Sequence, residues 1–305
     1  MRPDQAEALR TLRKKDMLST EGGGKRGEKK GSSKRPGVRM ISVTSGKGGV
    51  GKTNIAANLA YLLSRMNQKI MILDADAGLA NIDVILGINS LYNLSHVLNG
   101  ERTLADTLVE GPGGIKILPS ASGIPEMAEL SRGQKLTLID ELNNLNDSLD
   151  FMFIDTGAGI SSNVMYFNMA AREIIVVTSP EPTALTDAYA LIKVLYQRHA
   201  KKRFRLIVNM VRNPTEAKEV YERLSNATDQ FLNLTIEYLG YVLLDEKVKQ
   251  AVLQQKAVAE IYPNSSAAQC LVRIAKEICS EEILFSDEDS TIKLFWENII
   301  GQNCG

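Results

Sequence analysis

The sequence predicts a single α/β domain in which helices cover both faces of a mostly parallel β-sheet. Three observations carry this prediction. Short, continuously apolar segments alternate with longer segments whose apolar residues recur at helical spacing. The short segments lack polar alternation, which is typical of strands buried on both faces of a sheet. The chain of 305 residues, 44% of them apolar and 24% charged, is also long enough to bury a full core.

The predicted strands and helices follow one another in a regular order. The first strand is predicted over residues 38–44 (VRMISVT), which end at a glycine-rich turn. A helix is predicted over 54–66, where Ile55, Leu59 and Leu62 recur at helical spacing. Further strands are predicted over 69–73, 115–118, 151–154, 174–178, 204–208 and 236–244, and further helices over 185–198, 217–229 and 266–278. Ligands of such sheets bind beyond the carboxyl ends of the strands, so chemical motifs are expected there.

Cysteine usage and hydropathy disfavour several classes of protein. The three cysteines, Cys270, Cys279 and Cys304, have no CxxC spacing, which argues against a disulfide framework, a zinc module and a cysteine-ligated cluster. No apolar run approaches the roughly 18 residues of a transmembrane helix. The charged N-terminus lacks the apolar segment of a secretory signal. We therefore expect a cytoplasmic protein.

The formal net charge of zero is a cancellation between oppositely charged parts of the chain. Residues 1–39 carry twelve Lys and Arg against five Asp and Glu, a net charge of +7. Residues 40–305 therefore carry −7, of which 281–305 contribute −5. Composition divides the chain into an N-terminal segment 1–20, a flexible basic linker 21–37, a body 38–280, and an acidic linker with a C-terminal helix 281–305.

A motif at the end of the first predicted strand points to nucleotide phosphates. Residues 46–53 (GKGGVGKT) satisfy GxxxxGK[ST] between a strand and a helix, the context that identifies a P-loop. Backbone N–H groups of such a loop surround an anion, Lys52 supplies charge at the β/γ-phosphates and the Thr53 hydroxyl ligates Mg²⁺. The alternative is a glycine-rich turn with a surface lysine. The predicted nucleotide-binding residues here are Gly46, Lys47, Gly48, Gly49, Val50, Gly51, Lys52, Thr53 and Asn54.

Three segments together resemble a known family. They are KGGVGKT at 47–53, LDADAGLANID at 73–83 and FIDTGAG at 153–159. They look like the MinD/ParA family of deviant Walker A P-loop ATPases, and the similarity extends over about residues 38–278. The resemblance implies ATP and Mg²⁺ as cofactors, slow hydrolysis, and an ATP-dependent homodimer in which Lys47 reaches the phosphates of the partner subunit. The alternative for Lys47 is a solvated surface charge.

The same resemblance implies roles for three carboxylates. Asp76 is expected to position and activate the attacking water, and Asp74 to lie closer to the water shell of the metal. Asp155 ends a buried apolar strand, where the Walker B acid of the family holds Mg²⁺. The predicted catalytic residues are Lys47, Lys52 and Asp76, and the predicted metal residues are Thr53, Asp74 and Asp155. Either Asp74 or Asp76 could instead cap the turn that follows the strand.

Two further residues are predicted to bind the nucleotide base. Asn209 ends the strand over 204–208, and the resemblance implies an asparagine there at the adenine edge. Asp245 occupies the place of a second loop that lines the base pocket in the family, although Leu243-Leu244 stand where proline is frequent. The dipeptide at 213–214 (NP) could equally be a turn. His96 and His199 have no ligand spacing and are expected to be ordinary surface or capping residues.

The N-terminal segment resembles the DQAxxLR head of the branch of this family that sets flagellar placement and number. The matching residues predicted to bind a partner are Asp4, Gln5, Leu9 and Arg10. The implied partners are the flagellar signal-recognition-type GTPase FlhF and components of the flagellar C-ring. A solvated arm is the alternative. Residues 1–39 hold no aromatic residue, so they offer no base-stacking platform for nucleic acid.

The C-terminal segment predicts an amphipathic helix. Its apolar stripe at helical spacing consists of Ile292, Phe295, Trp296, Ile299 and Ile300. Phe and Trp on such a helix favour interfacial membrane binding, which we expect to be reversible and at the inner face of the cell membrane. The charge of −5 over 281–305 is repelled by anionic lipid, so one helix binds weakly and two on a dimer bind better. The alternative is that the stripe packs on the body or on a partner.

Other functions remain as alternatives to a flagellar ATPase. A MinD-type division-site ATPase shares the motifs, whereas a ParA-type chromosome-positioning ATPase needs a basic core surface and residues 40–305 are net acidic. A tyrosine autokinase would carry a C-terminal tyrosine cluster, but no tyrosine follows Tyr262. An iron–sulfur carrier of this superfamily would have CxxC. From a different class, the protein could be a nucleotide-locked scaffold for flagellar assembly that binds without turnover.

Overall fold

The computed structural model describes residues 37–76, 81–119 and 149–281. The predicted partner-binding residues and the predicted C-terminal stripe both lie outside these ranges. They are Asp4, Gln5, Leu9, Arg10, Ile292, Phe295, Trp296, Ile299 and Ile300. The segment over 1–20 and the helix within 281–305 therefore stay predictions.

The centre of the body is one eight-stranded β-sheet. Its strands are Arg39–Ser45 (β1), Ile70–Ala75 (β2), Val109–Glu110 (β3), Lys116–Leu118 (β4), Phe151–Ala158 (β5), Glu173–Thr178 (β6), Phe204–Val211 (β7) and Glu237–Leu243 (β8). Their order across the sheet is β3-β4-β2-β5-β1-β6-β7-β8. Every neighbouring pair is parallel except β3 with β4, which is antiparallel. The predicted mostly parallel sheet is confirmed.

Helices connect the strands across both faces of the sheet. They are Lys52–Arg65 (α1), Asn81–Leu86 (α2), Leu94–Leu98 (α3), Leu104–Thr107 (α4), Ser162–Ala170 (α5), Pro182–His199 (α6), Pro214–Leu232 (α7), Glu246–Leu253 (α8), Val258–Ile261 (α9) and Ser266–Ser280 (α10), with a 3₁₀ turn at Pro112–Gly114. The four helices predicted from apolar periodicity are α1, α6, α7 and α10. Proline at the first helical position extends α6 and α7 at their N-termini beyond the predicted bounds.

Alternate residues of each strand supply two separate layers of core. On β1, Ile41 and Val43 pack with α1 and α10, whereas Met40 packs on the opposite face with Phe167 of α5. Ile174 and other residues of β6 and β7 pack with α6 and α7 on that same opposite face. Burial on both faces is the physical reason why the strands are continuously apolar. Within the described part of the chain, no helix is both long and apolar enough to cross a bilayer.

The parallel arrangement gives the sheet two chemically different ends. At the carboxyl end, the P-loop follows β1 and Asp76 follows β2. Asp155 and Asn209 lie in the carboxyl-terminal halves of β5 and β7, at the same end of the sheet. The amino ends of β1, β6 and β7 carry a different group of charged side chains, described below. The predicted chemical motifs therefore meet at one edge.

Candidate nucleotide-binding site

The P-loop connects β1 to α1, and its shape depends on two glycines. Gly51 has φ +85°, and a Cβ there would lie 2.3 Å from Nδ2 of Asn209. A Cβ on Gly46 would lie 2.1 Å from the backbone carbonyl of Asp187 in α6. No side-chain hydrogen bond caps the N-terminus of α1, so its first N–H groups are available to an anion. The loop therefore has the backbone geometry that a phosphate site requires.

A buried ion pair lies directly beneath this loop. Nζ of Lys52 donates to Oδ1 of Asp155 over 2.9 Å, and the Thr53 hydroxyl lies close enough to the same carboxylate to stabilise its charged form. Burial raises the pKa of Asp155, and the charge of Lys52 opposes that rise. Oδ2 of Asp155 is buried and has no hydrogen-bond partner among the described residues. An unpartnered carboxylate oxygen beside a threonine hydroxyl fits Mg²⁺, which prefers oxygen ligands.

Asp74 lies opposite Asp155 on the neighbouring strand. Its Oδ1 accepts the Asp76 N–H over 3.1 Å and its Oδ2 accepts the Ile82 N–H over 3.4 Å. Burial, reinforced by the negative charge of Asp155, raises the pKa of Asp74 to about 7. Asp74 thus makes the turn-capping bonds that the sequence left open as an alternative, while it remains next to the predicted metal residue.

Asp76 follows β2 directly and is partly exposed. Its carboxylate contributes to the raised pKa values of both Asp74 and Asp155, so all three carboxylates share one site. A Cβ built on Gly157 would lie 3.5 Å from Oδ1 of Asp76, which places this side chain beside the loop after β5. The structure therefore brings Asp76 to the edge where a nucleophilic water would be needed.

Lys47 makes contacts within its own chain that the sequence did not predict. Its Nζ pairs with a carboxylate oxygen of Glu181 and donates to Oγ1 of Thr183 over 2.7 Å. Hydrogen bonds from Lys47 and Thr183 lower the pKa of Glu181. Glu181 directly precedes Pro182 at the start of α6, and no motif of the sequence marks it as a partner of the P-loop. Lys47 is thus engaged at the N-terminus of α6, on the exposed side of the loop.

A cavity of about 290 Å³ lies next to the P-loop. Nδ2 of Asn209 donates to the Val50 carbonyl over 2.8 Å, which fixes this side chain at the cavity wall. Both predicted base-binding residues, Asn209 and Asp245, line it. The full lining comprises Gly51, Asn54, Asn209, Met210, Leu243, Leu244, Asp245, Glu246, Val248, Lys249 and Val252. An apolar cavity with a few fixed polar groups is typical of a site for a planar base.

The structure adds details for three residues at or near the cavity that the sequence alone did not settle. Asp245 caps α8, since its Oδ1 accepts the Lys247 N–H over 2.9 Å, and its Oδ2 accepts the Ala267 N–H over 3.1 Å. Met210 has φ +59° and was not predicted at the site. Asn213 caps α7 through the Glu216 N–H, which is the non-binding role expected of the dipeptide at 213–214.

The histidines and cysteines of the described ranges show no metal chemistry. His96 belongs to the capping box of α3, which is one of the two ordinary roles, surface or capping, that were expected of it. Cys270 and Cys279 are free thiols. Within these ranges no group of three or more His, Cys, Asp or Glu side chains is arranged as a metal cluster.

Comparisons with known proteins place this site in a family. The ParA family model, described as NUBPL iron-transfer P-loop NTPase, matches residues 38–279. The antiactivator FleN of Pseudomonas aeruginosa is 44% identical over 80% of this chain and 87% of its own length. The flagellum site-determining protein YlxH of Helicobacter pylori is 38% identical over 80% of this chain and 83% of its own length.

Solved structures of MinD have the same fold. The MinC:MinD cell division protein complex of Aquifex aeolicus matches with a TM-score of 0.63 and 27% identity, over 82% of this chain and 99% of that chain. MinD of Pyrococcus horikoshii OT3 complexed with Mg-ADP matches with a TM-score of 0.62 and 26% identity, over 81% and 100%. This chain therefore belongs to the MinD/ParA family of P-loop ATPases and, within it, to the FlhG/FleN branch.

Proposed function

We propose that this protein is a Mg²⁺-dependent ATPase that dimerises with ATP, associates reversibly with the membrane and regulates flagellar placement or number. One observation carries the ATPase part, namely the buried Lys52–Asp155 pair with its unpartnered carboxylate oxygen beside Thr53. The flagellar part is supported by the two relatives named FleN and flagellum site-determining YlxH.

The residues of the loop divide the task of holding the triphosphate. Bound Mg²⁺ would neutralise charge on the phosphates during transfer. Thr53 and Asp155 would hold it, and Asp74, which is opposite Asp155 on the neighbouring strand, would orient its water shell. Lys52 supplies a positive charge that burial keeps unscreened by solvent. Phosphoryl transfer depends mainly on such positioning and electrostatics, so these residues suffice for binding and charge neutralisation.

Asp76 is the residue that we assign to the attacking water. It is partly exposed, unlike the buried Asp74 and Asp155, so water can reach its carboxylate. The exposure of Asp76 therefore favours it for orienting the nucleophile.

Base selectivity follows from the orientation of Asn209. One N–H of its Nδ2 donates to the Val50 carbonyl, and this leaves the acceptor Oδ1 available to the cavity. An acceptor pairs with the amino group of adenine and not with the carbonyl of guanine. We therefore propose ATP as the substrate, with GTP bound more weakly.

Dimerisation is the part of the proposal that depends on Lys47. Its side chain lies on the exposed side of the loop, where a second subunit could approach. In the proposed homodimer, Lys47 leaves Glu181 and contacts the phosphates bound by the partner subunit. The state of the nucleotide would then control the oligomeric state.

The proposed output uses the two segments outside the described residues. The segment 1–20 would bind the GTPase FlhF, and flagellar C-ring components are proposed as further partners. The stripe over 292–300 would bind the inner face of the cell membrane, weakly in the monomer and more strongly in the dimer. Removal of residues 290–305 should abolish pelleting with liposomes and leave ATP binding intact; undiminished pelleting would move the membrane contact elsewhere.

The rival from a different class is a scaffold that binds ATP without turnover. Release of inorganic phosphate separates the two, measured with Mg²⁺ and with ATP or GTP over a range of protein concentrations. We expect hydrolysis of ATP whose rate per subunit rises with concentration, and at least a tenfold loss in Asp76→Ala with ATP binding retained. Equal turnover by Asp76→Ala would refute its role, and an absence of turnover at every concentration would favour the scaffold.

A further inference from the structure

The sheet end opposite the nucleotide site carries a group of basic side chains between α6 and β7. Arg198 lies in the last turn of α6, and Lys201, Lys202 and Arg203 directly precede β7. We call these four residues the basic surface. Arg198, Lys202 and Arg203 are exposed and make no ion pair with any residue that the structure describes. Three exposed cations therefore face solvent without a counter-charge from the described part of the chain.

The electrostatics of neighbouring groups confirm that this surface is positive. Burial lowers the pKa of Lys201 to about 8, and the charge of Arg172 adds to the fall. Burial also lowers the pKa of His199, with further contributions from Arg198 and Lys201. The charges that contribute to both shifts are cations. Nζ of Lys201 donates to the Ala171 carbonyl over 2.7 Å, which holds the loop before β7 against the start of β6.

A buried charge network at the same end of the sheet holds Glu281 against the strands. Arg39 of β1 forms a bidentate pair with Glu173 of β6 and also donates to the Ile278 carbonyl at the end of α10. Arg205 of β7 pairs with Glu281, the last residue that the structure describes. Glu281 is therefore paired with an arginine that follows Arg203 of the basic surface by only two positions.

The residues that follow from this point are acidic. Residues 281–289 read EEILFSDED, which contains five carboxylates and no cation. We propose that the segment 282–289 of this chain docks on the basic surface, with its carboxylates against Arg198, Lys202 and Arg203. This inference concerns the end of the sheet away from the ATP site and does not rest on the proposed ATPase activity.

Chain length and attachment favour this occupant over an external anion. Asp287 lies six positions after Glu281. An extended chain spans about 3.3–3.6 Å per residue, so the reach is roughly 20 Å. A tethered partner has an effective concentration on the order of millimolar, which populates even a weak charge contact. The same contact would neutralise acidic residues that anionic lipid repels, and would set the position from which residues 290–305 leave the body.

Carbodiimide cross-linking of the full chain tests the contact, because it joins a lysine to a carboxylate that touches it. We expect mass spectrometry to find Lys202 joined to a carboxylate within 282–289 at 0.1 M NaCl. In an equal mixture of ¹⁴N- and ¹⁵N-labelled protein, the product should be unmixed, as an intrachain bond requires. At 1 M NaCl, where the Debye length falls from about 10 Å to about 3 Å, the yield should drop at least fivefold.

Charge reversal keeps the reporting lysine and removes the attraction. Arg198→Glu/Arg203→Glu should lower the Lys202 cross-link at least fivefold, and adding Asp287→Lys/Asp289→Lys should restore it through Glu288. The matched control Arg65→Glu/Arg223→Glu makes the same change in net charge on other exposed positions and should leave the yield unchanged.

Three outcomes would overturn the proposal. The first is the absence of a Lys202 cross-link in the wild type, and the second is a product of mixed isotope labelling, which would assign the contact to a second copy. The third concerns phosphatidylglycerol vesicles. If Arg198→Glu/Arg203→Glu lost pelleting with these vesicles while its Lys202 cross-link stayed at the wild-type level, the basic surface would be a lipid contact.

Discussion

Asp74 and Asp155 are neighbours on adjacent strands, yet their surroundings give them different protonation behaviour. Asp155 has the charge of Lys52 at 2.9 Å, whereas Asp74 accepts from backbone N–H donors and lies near the carboxylates of Asp155 and Asp76. Burial raises the pKa of both groups, and Lys52 counteracts that rise at Asp155 alone. Burial and neighbouring negative charge therefore favour the protonated form of Asp74.

This difference predicts a pH dependence of stability. Folding raises the pKa of Asp74 from 3.8 to about 7, so the native state retains a proton that the unfolded chain has lost. The free energy of unfolding should fall as the pH rises from about 4 to about 7 and then level off. Asp74→Asn should remove this term, so its stability relative to wild type should rise over that window by up to about 4 kcal/mol.

Urea unfolding between pH 4 and 8, without nucleotide or Mg²⁺, measures this difference. The control is Asp229→Asn, an exposed carboxylate on α7, whose stability relative to wild type should not vary with pH. A constant difference between Asp74→Asn and wild type would show that Asp74 titrates at the same pH in both states.

The contact between Lys47 and Glu181 predicts a variant with easier dimerisation. If Lys47 must leave Glu181 to reach the partner subunit, then Glu181→Gln should dimerise with ATP at a lower protein concentration. We expect a shift of about twofold to tenfold, since the pair is exposed and its attraction is partly screened. Concentration-dependent sedimentation measures it, with Glu219→Gln, an exposed glutamate on α7, as the control. An unchanged midpoint would show that Glu181 does not restrain Lys47.

At the scale of elements, the strands and helices that could be predicted from the sequence are those whose burial leaves a clear apolar pattern. The continuously apolar runs became β1, β2 and β4–β8 because both faces of the sheet are covered, and α1, α6, α7 and α10 have clear apolar periodicity. β3 and the helices α2–α5, α8 and α9 were missed. Most of these elements are two to eight residues long, and the nine-residue α5 is apolar without a clear polar face, so neither type leaves a periodic pattern.

The site shows a similar division between local and long-range information. The P-loop, Asp155 and Asn209 could be predicted because each comes directly after a continuously apolar run of the sequence. Glu181 and Met210 could not, because their roles come from contacts between separate elements and from a backbone conformation that methionine seldom adopts. Asp245 was placed correctly at the cavity, but its helix-capping bonds depend on α8, which the sequence did not predict.

The two glycines of the P-loop predict a contrast between similar substitutions. Gly51→Ala forces a side chain into a left-handed backbone and towards Asn209, so it should lower the free energy of unfolding by about 1–3 kcal/mol. ATP binding should weaken as well, because Asn209 holds the cavity wall. Gly48→Ala meets nothing within 4 Å, and its stability should stay within about 0.5 kcal/mol of wild type. Equal destabilisation by both would contradict this account of the loop.

At the scale of the whole molecule, the two ends of the sheet separate two tasks. Phosphate-binding groups lie at the carboxyl ends of the strands, and the network of Arg39, Arg205 and Glu281 fixes the exit of the C-terminal segment at the amino ends. The chain is basic before the body, with a net charge of +7 over residues 1–39, and acidic after it, with −5 over 281–305. A dimer formed at the nucleotide end would therefore leave the opposite end accessible to other contacts.

Sedimentation velocity of the full chain with Mg²⁺ tests the central claim most directly, with ADP and with a non-hydrolysable ATP analogue compared at one protein concentration. We predict a dimer with the analogue, a monomer with ADP, and a monomer under both conditions for Lys47→Ala, which should still bind the nucleotide. A wild-type protein that remains monomeric at saturating analogue, or a Lys47→Ala variant that dimerises as wild type does, would contradict the account.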